Sequence, residues 1–338
     1  MRFFKDTHID FMGYWKWAFL GSGIFIAIGL ASLFIKGPRY GIDFAGGTIV
    51  QVKFHQSVDL ATIRKGLQEI QLGDSIIQQY GPKSNQEVLI SMTKTTGSLK
   101  GIDEEIKEVL TRIYTDKGFE IRRVEMVGPK VGKDLRQQGL WAIIFALIGI
   151  LLYAWWRFEF VFSIGAILAL AHDTLITIGA ISLTNREFSL PVVAALLTIV
   201  GYSINDTIVV YDRVRENIRL SRSNSMYDIL NMSINEVLGR TFLTTFTTFL
   251  VVISLFLFGG QVINDFAFAL VVGVIVGTYS SDFVASPVVL LIHNWQKART
   301  RRTAVSEKSR MAARTGSRVT TSKIAAMNKQ SSRQKGSK

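Results

Sequence analysis

The sequence predicts an α-helical polytopic membrane protein of six transmembrane helices, with a small α+β domain inserted after the first of them. Three observations lead there. Apolar residues, 48% of the 338, gather in blocks instead of recurring at helix or strand period, and a spanning helix needs a block of roughly 20. A long interval after the first block alternates short strand and helix patterns. Basic charge is concentrated on one set of linkers and in the C-terminal stretch.

The blocks place transmembrane helices at 17–35, 138–156, 160–183, 189–211, 240–258 and 266–292. The first has too long an apolar core for a usual signal peptide, and no small-x-small cleavage pattern closes it, so a retained anchor is expected. Cysteine is absent, which removes disulfides, thiol catalysis and thiolate metal sites. The 4 histidines are dispersed and predict neither a metal nor a cofactor site. With no Ser/His/Asp set and no phosphate loop, the sequence predicts no enzyme. The net charge of +13 resides mostly after His293, where Glu307 alone opposes many Lys and Arg. It reads as a topology signal, with no nucleic-acid partner. An even number of spans puts both termini on one side, and the basic tail makes that side cytoplasmic. Arg213, Arg215, Arg219 and Arg222 after the fourth span agree, while 184–188 and 259–265 on the far side carry little basic charge.

Residues 1–16 form a polar cytoplasmic lead with Lys5 and Lys16. Gly37-Pro38-Arg-Tyr-Gly41 breaks the first helix and delivers the chain to an external domain, 36–137. Within it, 48–55 alternates as a strand, 60–70 has helical spacing behind Asp59, and 75–80 and 88–92 read as strands. Residues 102–114 are amphipathic, with Asp103 near the start, and 119–127 alternates again. The order βαββαβ is that of the split βαβ, ferredoxin-like sandwich, with two helices on one face of a four-stranded sheet. Gly46 and Gly47, just ahead of the first strand, are expected to meet a backbone requirement, positive φ or close approach.

Gly128-Pro129 and Val131-Gly132 return the chain to the second helix. Trp155, Trp156, Phe158 and Phe160 crowd a tight turn at Arg157, as an aromatic belt would. His172-Asp173 lies near the middle of the third helix, where Gly165, Ala169, Asp173 and Thr177 share a face of small residues. The fourth starts after Glu187 with Pro191 in its first turn. Thr198, Tyr202 and Asp206 follow at i+4 steps, with Gly201 and Asn205 adjoining, as a polar stripe. Asp212, Arg213, Arg215, Glu216 and Arg219 can pair at i,i+3 beyond it. A connector, 212–239, contains an amphipathic stretch at 226–238. Arg240 opens the fifth helix and shares its face with Thr244 and Thr248. The sixth carries Ala269, Gly273, Gly277 and Ser281 at four-residue spacing, a small-xxx-small packing edge, and then Asp282. The tail, 293–338, is expected to be disordered.

A charge at the centre of a spanning helix costs about 2.5–3.5 kcal/mol on insertion scales, and an intramembrane hydrogen bond returns only about 0.6 kcal/mol. Asp206 is therefore read as a proton-exchanging carboxylate, with Arg240 as its charge partner and His172-Asp173 in the same polar interior. Removal from water favours a neutral carboxyl and an approaching guanidinium favours a charged one, so relative helix motion could load and release a proton. The plainer readings are inter-helix glue for Asp206, snorkelling to the headgroups for Arg240, and a buried pair that fixes packing for His172-Asp173.

Several motifs stand together in one order: Gly41-Ile-Asp43-Phe-Ala-Gly46-Gly47, Val127-Gly-Pro-Lys-Val-Gly132, His172-Asp173, Gly201-Tyr-Ser-Ile-Asn-Asp-Thr-Ile-Val-Val-Tyr-Asp-Arg-Val-Arg-Glu-Asn217, Arg240-Thr241 and Gly277-Thr-Tyr-Ser-Ser281. In this the chain resembles the SecD/SecF family of bacterial protein-export membrane proteins over 12–294. The 201–217 block is the most specific of them, and Gly41–Gly47 is shared by both branches of the family. The resemblance implies a six-span half of a SecD–SecF complex in the bacterial inner membrane, akin to RND-type transporters. Its implied partners are the SecYEG translocon, often YajC, the translocating preprotein and the lipid bilayer. The implied activity is proton-motive-force-dependent completion of polypeptide translocation, with protons as the coupling ion and the external domain capturing or pulling the polypeptide. The family's proton-pathway aspartate falls on Asp206 and its functional arginine on Arg240. Asp282 departs from the pattern, standing where an apolar residue is expected. Two other readings remain: half of an RND-type proton-coupled exporter of small molecules or lipids, and a non-transporting scaffold of the translocon.

Overall fold

The structure, a computed structural model, describes residues 7–80, 86–92, 102–114, 118–220, 225–260 and 263–300. Lys5, Arg222 and the basic tail beyond Thr300 lie outside the described residues. The chain divides into two units, Met1–Val289 and Leu290–Lys338, and the second is helical as far as Thr300.

The helix α1 (Phe11–Lys36) is followed by a single turn, α2 (Ile42–Ala45), and then by β1 (Gly47–Phe54), α3 (Leu60–Glu69), β2 (Ile76–Tyr80), β3 (Glu87–Met92), α4 (Ile102–Tyr114) and β4 (Phe119–Val127). The strands pair antiparallel throughout, in the order β2-β3-β1-β4, the pairing expected of a ferredoxin-like βαββαβ chain. Alternation does the sorting: Val50, Val52, Ile90 and Met92 point to one face and meet Ile63, Leu67, Ile106 and Leu110 from α3 and α4 in one apolar core.

The long helices are α5 (Pro129–Arg157), α6 (Phe160–Leu183), α7 (Leu190–Leu220), α8 (Met226–Phe258) and α9 (Asn264–Ser280), and α9 runs into a π-helical turn, Ser281–Ala285. With α1, these supply 6 helices long and apolar enough to cross a membrane, the sixth extending over Asn264–Thr300. In the apolar stretches of α6 and α7, 56% and 44% of residues are buried, against 11% in α5 and α8. The middle of the bundle is therefore α6, α7 and α9.

Four boundaries differ from those expected, and one of them is the end of the sixth helix, which runs past 292 to Thr300 and so takes in the start of the stretch expected to be disordered. First, α1 begins at Phe11 instead of 17, because Asp10 caps it, accepting from the Gly13 N–H at 2.9 Å, and is itself held by Tyr227 at 2.6 Å and Asn231 at 2.8 Å. Second, α5 starts at Pro129, inside the interval assigned to the domain, since proline in a first turn forfeits no helical hydrogen bond. Third, the connector at 212–239 is mostly two helix ends. The Ser225 hydroxyl caps α8 by accepting from the Asp228 N–H, and the helix continues through 226–238, so Arg240 lies inside it and does not open it. Arg213 donates to Glu236 at 2.6 Å, and Asn217 donates to Ser233 at 3.0 Å. These bonds hold α7 and α8 side by side past the apolar blocks, and neither helix has to stop there.

Candidate functional site

Small residues decide which helices approach. Along α7 and α9, Ile199 meets Gly273, the Ser203 Cβ lies 3.0 Å from where a Cβ on Gly277 would be, and the Thr207 hydroxyl is 3.0 Å from that of Ser281. Each pair is four residues on from the last, so the two helices run parallel and in register. Ala269 is fully buried one turn earlier, with Ala195 in the same cluster. The expected packing edge is thus the α7–α9 seam. On α6, a side chain on Gly165 would meet the Tyr211 hydroxyl and the Ala285 carbonyl, and Asp173 and Thr177 are fully buried.

The seam encloses a polar cluster. Asp173 Oδ2 accepts from the Ser203 hydroxyl at 2.6 Å and from the Ser280 hydroxyl at 2.8 Å, while Oδ1 lies 2.9 Å from His172 Nδ1. The other ring nitrogen, His172 Nε2, is 2.9 Å from Ser22 Oγ on α1, and Tyr279 donates its hydroxyl to the Ala18 carbonyl at 2.9 Å. Four helices are joined through this one pair of side chains, with every polar atom of the pair matched.

Asp206 is different. It is 3% exposed and, among the described residues, its Oδ2 has no hydrogen-bond partner. Arg240 acts on it electrostatically from α8, yet among the described residues no ion pair within bonding distance joins them. Arg240 itself is exposed. The expected polar stripe does not remain in the interior: Thr198 and Asn205 are exposed, and among the described residues a Cβ on Gly201 would meet nothing within 4 Å. Helical geometry accounts for it, since each i+4 step turns about 40° and two such steps separate outward Thr198 from inward Asp206. Tyr202 lies between, donating to Thr245 at 3.3 Å, and Thr245 is 2.8 Å from the Thr278 hydroxyl on α9. Thr244 bonds the Arg240 carbonyl of its own helix, and Thr248 is half-buried.

On the side of the small domain, the Gly41–Gly47 segment docks onto the start of α7. Asp43 Oδ2 accepts from the Leu190 N–H at 3.0 Å and so caps that helix. The Gly41 N–H donates to the Phe188 carbonyl at 2.8 Å, and the Phe188 N–H to the Arg39 carbonyl at 2.8 Å. Gly46 has φ of 77°, and a Cβ there would lie 2.8 Å from Pro129 Cα. Both anticipated reasons for glycine therefore apply. Beside this joint, Arg186 pairs with Asp265 at 2.6 Å and Arg39 with Glu187 at 3.8 Å. Burial pushes the Glu187 carboxyl above its ordinary value, against the pull of Arg39.

A sequence profile of the family described as protein export membrane protein SecD/SecF, C-terminal, matches residues 106–295, and the SecD/SecF GG motif matches 31–58. The chain belongs to the SecD/SecF family. Among curated relatives, the protein translocase subunit SecF of Calditerrivibrio nitroreducens is 48% identical over 87% of this chain and 97% of its own length. That of Magnetococcus marinus is 47% identical over 86% and 94%. Among solved structures, the translocon-associated membrane protein SecDF of Thermus thermophilus superposes with a TM-score of 0.73 at 37% identity, covering 86% of this chain and 39% of that one. SecDF in a super-membrane-facing form gives 0.69 at 37% identity, over 89% and 41%. This SecD/SecF chain thus spans about two fifths of the solved SecDF chains.

Sequence reasoning missed the hydroxyls that join the helices of this SecD/SecF chain: Ser22, Ser203 and Ser280 on the His172-Asp173 pair, and Thr207, Thr245, Thr278 and Tyr279 in the neighbouring contacts. Their signal was weak, because a hydroxyl in a spanning helix can always bond its own i−4 carbonyl. The adjacency of Ser280 and Ser281 to Asp282 was the one usable hint.

Proposed function

We propose that this chain is an accessory subunit of the Sec protein-export machinery, which with SecD uses the proton-motive force to complete polypeptide translocation across the bacterial inner membrane. Both termini lie in the cytoplasm and the ferredoxin-like domain in the periplasm, where it engages the emerging preprotein. The complex works beside SecYEG and YajC.

The observation that carries the reading is the unpartnered, buried Asp206 carboxyl oxygen with the Arg240 guanidinium in reach but unbonded. A proton is the smallest ligand that can occupy such a site, and helix motion that brings Arg240 closer would expel it. One charge crossing 100 mV releases about 2.3 kcal/mol, so a few protons suffice to move a domain. The mechanical link is α7, which carries Asp206 and is capped by Asp43 from the segment leading into β1. The exposed Thr198, Asn205 and Arg240 on the outside of α7 and α8 suit burial against a SecD helix, because bare polar groups at membrane depth are costly.

The test is completion of preprotein translocation in inverted membrane vesicles, with the proton gradient present or collapsed, for wild type and Asp206→Asn at equal complex abundance. Loss of the gradient-dependent component in the variant is expected. Its full retention would refute the proton role of Asp206.

A further inference from the structure

Asp282 has no part in the reading above. It sits in the π turn Ser281–Ala285, one residue after Ser281 and at 6% exposure. A π turn inserts one extra residue into a helix and re-aims the side chains around it. This turn is clamped: the Thr207 hydroxyl bonds that of Ser281 at 3.0 Å, and Ser286 donates to the Ser281 carbonyl at 3.0 Å. Thr207 follows Asp206 directly, so the bond between Thr207 and Ser281 brings the two carboxyl groups to the same level of the α7–α9 seam, within electrostatic reach of each other. Among the described residues, no side-chain hydrogen bond or ion pair engages Asp282, and Asp206 Oδ2 is likewise buried without a partner.

The charges around them come from every packed element. Arg240 on α8 acts on Asp206. From α6, His172 and Asp173 face the seam but are committed to Ser22, Ser203 and Ser280. From α9 and α1, the Tyr279 hydroxyl is bound to the Ala18 carbonyl, and Phe283 in the turn packs on Phe11. Among the described residues the buried Tyr211 hydroxyl on α7 has no hydrogen-bond partner. One guanidinium therefore acts on Asp206, and the charge that Asp282 meets is Asp206 itself.

We propose that Asp206 and Asp282 form one paired-carboxyl proton site, in which the two groups share a proton and Asp282 is the second acceptor. Two carboxylates within electrostatic reach of each other in a medium of low dielectric disfavour the doubly ionised state. With one proton the pair carries one negative charge, on which Arg240 acts from the Asp206 side, and with two it is neutral, so the pair has two occupancies between which a gradient can cycle it. The use of the site in translocation rests on the function proposed above; its existence does not.

The experiment is infrared titration of the protonated-carboxyl stretch in the full chain, reconstituted with its SecD partner in liposomes, for wild type, Asp282→Asn and Asp206→Asn. A coupled pair titrates in two macroscopic steps that belong to both groups. The expected result is two pair-dependent steps in wild type and a single step at a displaced midpoint in each variant. Because Asp282→Asn can disturb the π turn, Asp206→Asn reads the same coupling from the other side. Loss of one step with the other unmoved, or two steps surviving in Asp282→Asn, would overturn the pair. If Asp206→Asn keeps its gradient-dependent translocation while the coupled titration stands, the coupling function fails and the site stands.

Discussion

Replacing Asp173 with alanine separates a carboxyl that holds helices together from one that does not. In the folded chain Asp173 accepts from Ser203 and Ser280 and lies 2.9 Å from His172 Nδ1, so three contacts disappear together. At about 0.6 kcal/mol for an intramembrane hydrogen bond, the loss is about 2 kcal/mol. Ser280 already shares its proton with the Gly277 carbonyl at 3.1 Å and is re-satisfied locally. Ser203 and His172 are left facing a cavity, and a stranded buried donor costs about 1–3 kcal/mol. Asp206→Asn, by contrast, removes no bond at Oδ2 and is expected to cost less than Asp173→Ala. The assay is reversible denaturant unfolding of the purified full chain in mixed micelles, followed by tryptophan fluorescence. Equal stability of Asp173→Ala and wild type would refute the structural role of the cluster. A matching loss in Asp206→Asn would show that Asp206 is packing glue after all.

Two further perturbations test the seam and the domain-side joint. A Cβ on Gly273 would run into the Ile199 side chain, so Gly273→Val is expected to lose about 1–3 kcal/mol through overpacking in the same unfolding assay, whereas Gly149→Ala, with open space around it, is expected to be silent. At the joint, burial holds the Glu187 carboxyl above its ordinary 4.5, so its contribution is fully present below pH 4.5 and is lost as pH rises through the folded value. Asp10 has the opposite sign: its bond from Tyr227 holds it below 3.8, and its contribution is present above 3.8 and lost as pH falls through the folded value. Hydrogen exchange at the Phe188 and Gly41 amides, corrected for intrinsic rates, is expected to show protection that weakens with rising pH in wild type and becomes flat in Glu187→Gln.

The strands and helices of the small domain were readable almost to the residue because β1 and β3 each bury one face, and alternation is then a record of register, whereas β4 buries Phe119 alone and pairs with β1 across a register shift. The helix ends were less so. Hydropathy reports where apolar residues stop, while α7 and α8 continue past that point on the strength of polar contacts such as Asn217 to Ser233, which leave no periodic trace. Among the site residues, Asp206 stood out by insertion cost alone, and His172-Asp173 by adjacency. The inward or outward facing of Thr198 and Asn205 could not be read from i+4 spacing, which drifts about 40° a step. The seam was legible as a four-residue rhythm in Gly273, Gly277 and Ser281, but its partner was not, since Ile199, Ser203 and Thr207 belong to an apolar run with no rhythm of its own.

The packing also indicates which helix can answer a change of charge at Asp206. Helices α7 and α9 are keyed into each other by Gly273 and Gly277, and a close-packed seam of that kind is displaced only at the cost of overlap. They are bound to α6 and α1 through Asp173 and His172. By comparison α8 is largely exposed; its first turns are tied to α7 by Arg213–Glu236 and Asn217–Ser233, and beyond Arg240 it meets the middle of the bundle through Val252 and through hydroxyls, Tyr202 to Thr245 and Thr245 to Thr278, which can exchange partners along a helix with little penalty. In the proposed cycle, then, Arg240 is the moving charge and Asp206 the fixed one. The distance between them is set by the part of α8 beyond its α7-bound first turns moving against a rigid block, and that block ends at Asp43 under the domain. Relative motion between α8 and the rest is thereby motion relative to the domain as well, and no separate transmission element is needed.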